Sequence, residues 1–304
     1  MGTMFTIVLY SPGKPAAEAA VKAAFSRIVA LDNIMSDYQA DSELMRLCDS
    51  PRGKPVRVSE ELFDVLTKAQ HISAISDGAF DVTVGPLVRL WRFSRKRHVL
   101  PSPAEIESAR AAVGFKKLRL DRKSCTATLL VPGMRLDLGG IAKGYAADQA
   151  LAVLKGRGLN RALVAASGDI ALNDPPPGQR GWKIDIASMN AASTNSLRSV
   201  LLHNAGISTS GDADQYIDIN GVRYSHIVNP ATGLGLTNRI QVTVIAPNAT
   251  ASDALATTLC VLGPQRGLKL ANFLHHTAAL ITAKQDGRDR VFATANSNRL
   301  LCPE

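Results

Sequence analysis

The sequence predicts an α+β fold, and three observations carry that expectation. Helical and strand patterns follow one another in a mixed order, without the regular strand–helix alternation that builds a parallel sheet. A strand-rich stretch, residues 161–246, stands between two helical segments. Hydrophobic residues make up 46% and charged residues 20% of the 304, without biased tracts, so an ordinary globular chain has ample material for a core.

Taken in order, residues 3–10 alternate and are rich in β-formers, which predicts an opening strand. Pro15 leads an amphipathic helix to about Leu31, with Ala19, Val21, Phe25, Ile28, Val29 and Leu31 on its apolar side. Ser59 suits the N-cap of a helix over 60–75, because Glu60 and Glu61 favour its positive first turn. Pro103 opens a helix ending near Val113, which Gly114 can cap. Short strands over 115–136 surround turns at 121–124 and 132–133, and a helix follows over 142–155. Strands are expected at 161–166, 169–173, 182–187, 199–203, 215–219, 222–227 and 239–246. Helices from Ala251 to Leu262 and after Pro264 precede closing strands near 277–283 and 290–294. Asp174–Gly178 contains three consecutive prolines, which remove ladder donors and make it a surface loop. The same texture continues on both sides, so the chain reads as one domain over 1–304, divided at most into two intimately packed lobes.

Composition excludes several function classes. No apolar run approaches the roughly 18 residues of a membrane span, and no export signal opens the chain as given. Cys48, Cys125, Cys260 and Cys302 lie far apart with no CxxC pair, which argues against zinc. The net charge of +9 invites an acidic partner, but it is dispersed and only five Tyr and eight Phe are available for stacking on bases. Nucleic acid is therefore not expected. The densest basic cluster, Arg89, Arg92, Arg95, Lys96, Arg97 and His98, reads as a solvated loop, with a docking surface for acidic protein or phosphate as the alternative.

Three segments carry chemistry. In Asp137-Leu138-Gly139-Gly140-Ile141-Ala142-Lys143-Gly144-Tyr145 a strand ends at a carboxylate, two glycines allow a tight turn, and a helix begins. Such a helix start favours phosphate, although a plain glycine turn with a capping Asp fits equally, and neither P-loop nor GxGxxG spacing is present. Asp253 and Thr257, four apart at a helix start, form a hard oxygen pair suited to Mg²⁺. The alternative is that Ser252 or Asp253 only caps the helix while Thr257 faces the core. His226 ends a strand beside the Asn229-Pro230 and Thr232-Gly233 turns, where either general-base work or a structural role is available. Asp77 to Asp81 places two carboxylates around a glycine turn and the Phe80 ring. Ser167-Gly168-Asp169 and Ser208-Thr209-Ser210-Gly211 read as small-residue turns presenting N–H groups to a ligand.

Together, these pieces resemble the ApbE family of flavin transferases (FAD:protein FMN transferases). The resemblance runs from Met1-Gly2-Thr3 through Met35-Ser36-Asp37-Tyr38, Asp41-Ser42-Glu43-Leu44 and Asp77 to Asp81, and then through the Asp137-to-Tyr145 segment. It continues with Ser167 to Asp169, Ser208 to Gly211 and His226 to Gly233, and ends with Asp253 to Thr257. It implies a fold related to the T-fold, FAD as substrate and Mg²⁺ at the FAD pyrophosphate. The Gly140 carbonyl, Asp253 and Thr257 would be the metal ligands. Met1, Tyr38, Ala79, Phe80, Asp81, Asp137, Lys143 and Ile227 would line the FAD site, with the Ser167, Gly168 and Asp169 turn beside them. Lys143 and Asn229 depart from the family pattern, in which acidic residues are common at both places. His226, inside a matched motif, would be the base that accepts the proton of an acceptor hydroxyl, with Asp253 as its catalytic partner through the metal. The acceptor would be a protein with a Thr- or Ser-containing flavinylation motif. Family members commonly work outside the cytoplasmic membrane. Because the family core begins at residue 1, an upstream export segment or anchor is expected to have been removed. The rival readings are an Mg²⁺-dependent FAD pyrophosphatase and a flavin-binding module without chemistry.

Overall fold

A computed structural model describes residues 2–186, 189, 198–212 and 215–297. Met1, expected at the flavin site, and the last residue of the strand expected at 182–187 lie outside them. In chain order the elements begin with β1 (Phe5–Leu9), α1 (Lys14–Met35), α2 (Glu43–Asp49), β2 (Val56–Arg57) and α3 (Glu60–Ile75). Next come α4 (Gly85–Arg97), α5 (Pro103–Ala111), a 3₁₀ turn at Phe115–Lys117, β3 (Leu118–Asp121), β4 (Thr126–Leu129) and α6 (Ala142–Gly156). Strands β5 (Ala162–Ala166), β6 (Asp169–Leu172), β7 (Trp182–Ile186), β8 (Arg198–Leu202) and β9 (Ala205–Gly211) follow. The chain continues with β10 (Tyr216–Ile219), β11 (Val222–Ser225), β12 (Ile240–Ala246), α7 (Ala249–Phe273), β13 (Ala278–Gln285) and β14 (Arg288–Ala293). Two compact units result, one from Leu31–Gly140 with Asp214–Arg239, the other from Gly2–Ala30, Ile141–Ala213 and Ile240–Glu304.

The second unit is built on a seven-stranded sheet, ordered β1-β5-β6-β9-β12-β13-β14, antiparallel at every pairing. Strand residues alternate between faces. Ala162, Val164 and Ala171 pack with Ala20, Ala24 and Ile28 of α1 and with Ala147, Ala150 and Leu154 of α6. Leu163, Leu172 and Ile207 pack with Trp182 and Ile186 of β7 and Val200 and Leu202 of β8. Cover on both faces explains why these strands read as apolar runs.

Two expectations need correction here. The buried residues of α1 are Ala20, Ala24, Ile28, Leu31 and Met35, so Ile28 and Leu31 are buried as expected, whereas Ala19 is exposed, Phe25 is 38% exposed and Val29 60%. Small side chains at every fourth position let the helix lie close to the sheet, which outweighs the hydrophobicity of the larger residues. Ser208 to Gly211, expected to be a turn, belongs to β9 at the centre of the sheet. Its small residues serve packing and hydrogen bonding rather than a reversal. A Cβ on Gly206 would sit 2.1 Å from the Asn248 carbonyl carbon, so the start of α7 rests on bare backbone. Ser208 Oγ meets Ser252 Oγ at 2.7 Å, and Thr209 Oγ1 meets Thr243 Oγ1 at 2.8 Å. Helix α7 breaks at Gly263 (φ 71°, ψ 178°) before Pro264, where the sequence places a division between two helices.

The first unit carries the three-stranded sheet β2-β4-β3, helices α2 to α5 and the β10–β11 hairpin. Leu87, Trp91, Val113, Ile217, Ile219 and Val228 form a core cluster, in which Trp91 Nε1 donates to the Gly233 carbonyl at 2.8 Å. Helix α3 starts at Ser59 as expected, its Oγ accepting from Leu62 N at 3.2 Å. Ser59→Ala should therefore cost about 1 kcal/mol in urea unfolding; an unchanged midpoint would mean the cap is not used. The basic cluster expected to be a solvated loop is corrected: Arg89 to Arg97 lie on α4, whose last turn carries Arg95, Lys96 and Arg97. Cations there favour the helix C-terminal dipole, and Leu87, Trp91 and Ser94 bury the opposite face. Among the described residues no helix is long and apolar enough to cross a membrane.

Candidate functional site

In the second unit, helices α6 and α7 exchange carboxylates at their N-termini. Asp148 of α6 accepts from Ala249 N at 2.9 Å and Thr250 N at 2.8 Å, at the first turn of α7. Asp253 of α7 accepts from Gly144 N at 3.0 Å, in the first turn of α6. Each carboxylate satisfies N–H groups that no intrahelical carbonyl reaches. Asn248 caps α7 by accepting from Ala251 N at 2.9 Å, so the alternative in which Ser252 or Asp253 caps that helix is corrected. The close approach depends on Gly144, where a Cβ would stand 2.1 Å from the Ala249 carbonyl oxygen.

Around this junction lies a buried cluster of charged side chains. Asp253 is 1% exposed and Asp169, from the β5–β6 hairpin, 2%. Lys143 Nζ bonds Asp169 Oδ2 directly and stands 3.5 Å from Asp253 Oδ1. Asp169 Oδ1 is buried with no hydrogen-bond partner. Burial, reinforced by the Asp169 charge, pushes the Asp253 carboxyl up to about 7, against the pull of Lys143 and Gly144. Burial works against the Lys143 ammonium, but Asp253 and Asp169 outweigh it and hold the lysine above its ordinary pKa. One turn along α7, Thr257 Oγ1 lies 3.4 Å from Ser210 Oγ of β9. Two carboxylates against one ammonium leave the cluster short of positive charge, and one buried carboxylate oxygen, Asp169 Oδ1, has no hydrogen-bond partner. Among the described residues no group of three or more His, Cys, Asp or Glu is assembled for a metal. Mg²⁺ needs fewer: one or two carboxylates suffice when waters and phosphate oxygens complete the octahedron. The donor set of Asp253 and Thr257 fits such a hard cation.

Apart from Ser167 and Gly168, the first unit holds the remaining described site residues. Asp137 Oδ1 accepts from Gly139 N at 2.8 Å, and its Oδ2 lies 3.2 Å from Arg92 Nη2. Arg92 also bonds Asp37 through Nη1, and its guanidinium covers the Tyr38 ring at 4.5 Å. Tyr38 is 72% exposed, an aromatic face open to a planar ligand. Burial, then the Asp37 charge, raises the Asp137 pKa. Asp81 Oδ1 accepts from Thr83 N at 2.8 Å and Thr83 Oγ1 at 2.7 Å, and burial raises its pKa. Phe80 is buried and its N–H reaches Ser76 Oγ at 3.2 Å, while Ala79 is half-buried. Ile227 is buried, its carbonyl accepting from Leu236 N at 2.9 Å. His226 follows β11, and its Nδ1 lies 3.1 Å from the Gln215 carbonyl. A carbonyl only accepts, so Nδ1 carries the proton and Nε2 is the basic atom of the ring. Gly140 ends this unit two residues before α6.

Lys143, Asp169 and Asp253 are thus gathered in one unit, with Thr257 a turn away, and Tyr38 and Asp137 in the other around Arg92. Ser167 (φ 57°) and Gly168 form the β5–β6 turn, with the Gly168 carbonyl accepting from Thr209 N at 3.0 Å. Sequence reasoning missed Arg92, Asp148 and Ser252. Arg92 was visible only as one member of a charge run, and Asp148 lies mid-helix without a motif. The position of Asp37 beside Tyr38 in a quoted motif was the available signal.

Fold and site together define an α+β protein in which the N-terminal turns of α6 and α7 meet beside the buried Asp169 and Asp253 carboxylates. The ApbE family model matches residues 1–281, and the chain belongs to the ApbE family. It is 36% identical over 272 residues to the FAD:protein FMN transferase of Salmonella typhimurium, covering 88% of this chain and 77% of that protein. It is 30% identical over 286 residues to the FAD:protein FMN transferase of Treponema pallidum, covering 89% and 79%. Among solved structures, the flavin transferase ApbE from Vibrio cholerae superposes with a TM-score of 0.89 at 31% identity, covering 99% of this chain and 96% of that one.

Proposed function

We propose that this protein moves FMN from FAD onto a Thr or Ser hydroxyl of an acceptor protein and releases AMP, with Mg²⁺ held by Asp253, Thr257 and the Gly140 carbonyl. The observation that supports this most strongly is the buried Asp169–Lys143–Asp253 cluster at the start of α6, in a chain of the ApbE family. FAD is a phosphoric anhydride of FMN and AMP. The acceptor oxygen attacks the FMN-side phosphorus, a P–O ester bond forms, the P–O–P bond breaks, and AMP leaves with the electron pair. The reaction demands chiefly positioning and charge neutralisation. When bound, the metal would supply that neutralisation on the pyrophosphate oxygens. The N-terminal turn of α6 presents its dipole to phosphate, Lys143 adds a positive charge there, and Tyr38 offers its exposed ring to a flavin or adenine plane. His226, with Nδ1–H donated to Gln215, accepts the hydroxyl proton at Nε2.

The test incubates the protein with FAD, Mg²⁺ and a domain bearing a Thr-containing flavinylation site and reads intact mass. An FMN-sized gain that requires Mg²⁺ is expected. Free FMN and AMP beside an unmodified acceptor would replace the transferase with the pyrophosphatase, and intact bound FAD would replace it with a binding module. His226→Ala should slow transfer on the order of 10²-fold; near-normal transfer would remove the base role. Because the Asp253 carboxyl sits at about 7, metal entry must displace its proton below that pH. Apparent Mg²⁺ affinity should therefore rise as pH increases through about 7 and level off above it, read by calorimetry in two buffers of different ionisation enthalpy. A pH-independent affinity with no proton release would show that Asp253 is already ionised in the metal-free protein.

A further inference from the structure

Lys143 does more at this junction than its place in a motif implies. It occupies the second position of α6, is 29% exposed, and directs its ammonium at two carboxylates that are almost wholly buried. Those two carboxylates come from separate elements, the β5–β6 hairpin and α7, so they are held together by the fold rather than by sequence. Two buried negative charges in contact are costly unless a cation offsets them. The lysine supplies one charge of the two, and Asp169 Oδ1 is left with no partner.

We propose that Lys143 is a built-in counter-cation that competes with the divalent metal for Asp253 and Asp169, and so sets how tightly the substrate-free protein holds that metal. This rests on the metal reading above. A metal approaching Asp253 meets an ammonium 3.5 Å from Oδ1 and must enter against its charge. The butyl stem and partial exposure of Lys143 give that ammonium somewhere to go once an anionic diphosphate arrives. The lysine therefore weakens metal binding when substrate is absent and is withdrawn when substrate is present. Lys143 is a positioning residue in this sense: it acts through the carboxylates.

The experiment uses the metal alone. Mn²⁺ is titrated into the whole chain, stripped of metal and without FAD or acceptor, by calorimetry and by the loss of the free-ion paramagnetic signal. Lys143→Met should bind Mn²⁺ at least about 10-fold more tightly than the unsubstituted protein, since one positive charge beside Asp253 and Asp169 is gone. Lys143→Met with Asp169→Asn restores the net charge of the cluster and should return the affinity to within about threefold of the original. Equal or weaker binding by Lys143→Met overturns the proposal, as does a double variant that binds as tightly as the single one. If Lys143→Met is folded but too unstable without metal for the titration, thermal unfolding decides. Mn²⁺ must then raise its midpoint more than it raises that of the unsubstituted protein, and an equal or smaller rise overturns the proposal. Should neither protein bind Mn²⁺, the competition is refuted along with the metal site, while FMN transfer, measured separately, still judges the reaction.

Discussion

Replacing Asp253 by alanine is expected to lower metal-dependent FMN transfer on the order of 10³-fold. Asp253 is the one expected metal ligand with a full charge. The loss of charge neutralisation worth several kcal/mol corresponds to about three decades at 1.36 kcal/mol each. The substitution also strips Gly144 N of its acceptor and leaves Lys143 with Asp169 alone, so part of the loss is structural. Asp253→Asn separates the two effects. The amide oxygen still accepts from Gly144 N, and only the charge is removed. Mass spectrometry of the acceptor together with far-ultraviolet circular dichroism should show a folded protein with transfer near the alanine level. Transfer at the original rate in a folded Asp253→Asn would end the assignment of Asp253 to the metal.

The second large effect is on stability. Gly144→Ala places a Cβ 2.1 Å from the Ala249 carbonyl oxygen, 2.6 Å from its carbon and 2.9 Å from Asp253 Cβ. Backbone atoms at a helix start cannot yield without moving α7 away from α6. Moving it breaks the bonds from Gly144 to Asp253 and from Ala249 and Thr250 to Asp148. A destabilisation of about 4 kcal/mol is expected, at the upper end for a point substitution. Gly156, the last residue of the same helix, provides the contrast. A Cβ there meets nothing within 4 Å, and Gly156→Ala should stabilise by up to about 1 kcal/mol. Urea midpoints for the two variants check both, and a Gly144→Ala as stable as the original would mean that the helices do not meet as described.

How far the sequence could be read depended on whether the information was local. Ser59 and α3 were legible because a cap and its first turn lie within four residues. The break at Gly263 and Pro264 was legible because a positive φ and a missing N–H are written in residue type. Strand β9 was not. Its Ser-Thr-Ser-Gly run has the composition of a turn, and it is a strand because β6 and β12 supply ladder partners and α7 needs a surface with no side chain at Gly206. The α4 cluster was misjudged for a related reason. Charge density describes the exposed face of a helix as well as a loop, and only Leu87 and Trp91, packed on Ile217 and Val228, distinguish them.

The site divides in the same way. By itself the sequence determined the α+β class, the family resemblance and the candidate residues Tyr38, Asp137, Lys143, His226, Asp253 and Thr257, because each stands in a short motif with its own local chemistry. The tertiary structure alone decided what those residues meet. Lys143 reaches Asp169, 26 positions along the chain, and Asp253, 110 positions along. The buried Asp169 oxygen without a partner, the Asp253 carboxyl raised to about 7 and the guanidinium over Tyr38 are likewise products of packing. Burial and charge proximity are properties of distance in space, and no spacing along the chain encodes them.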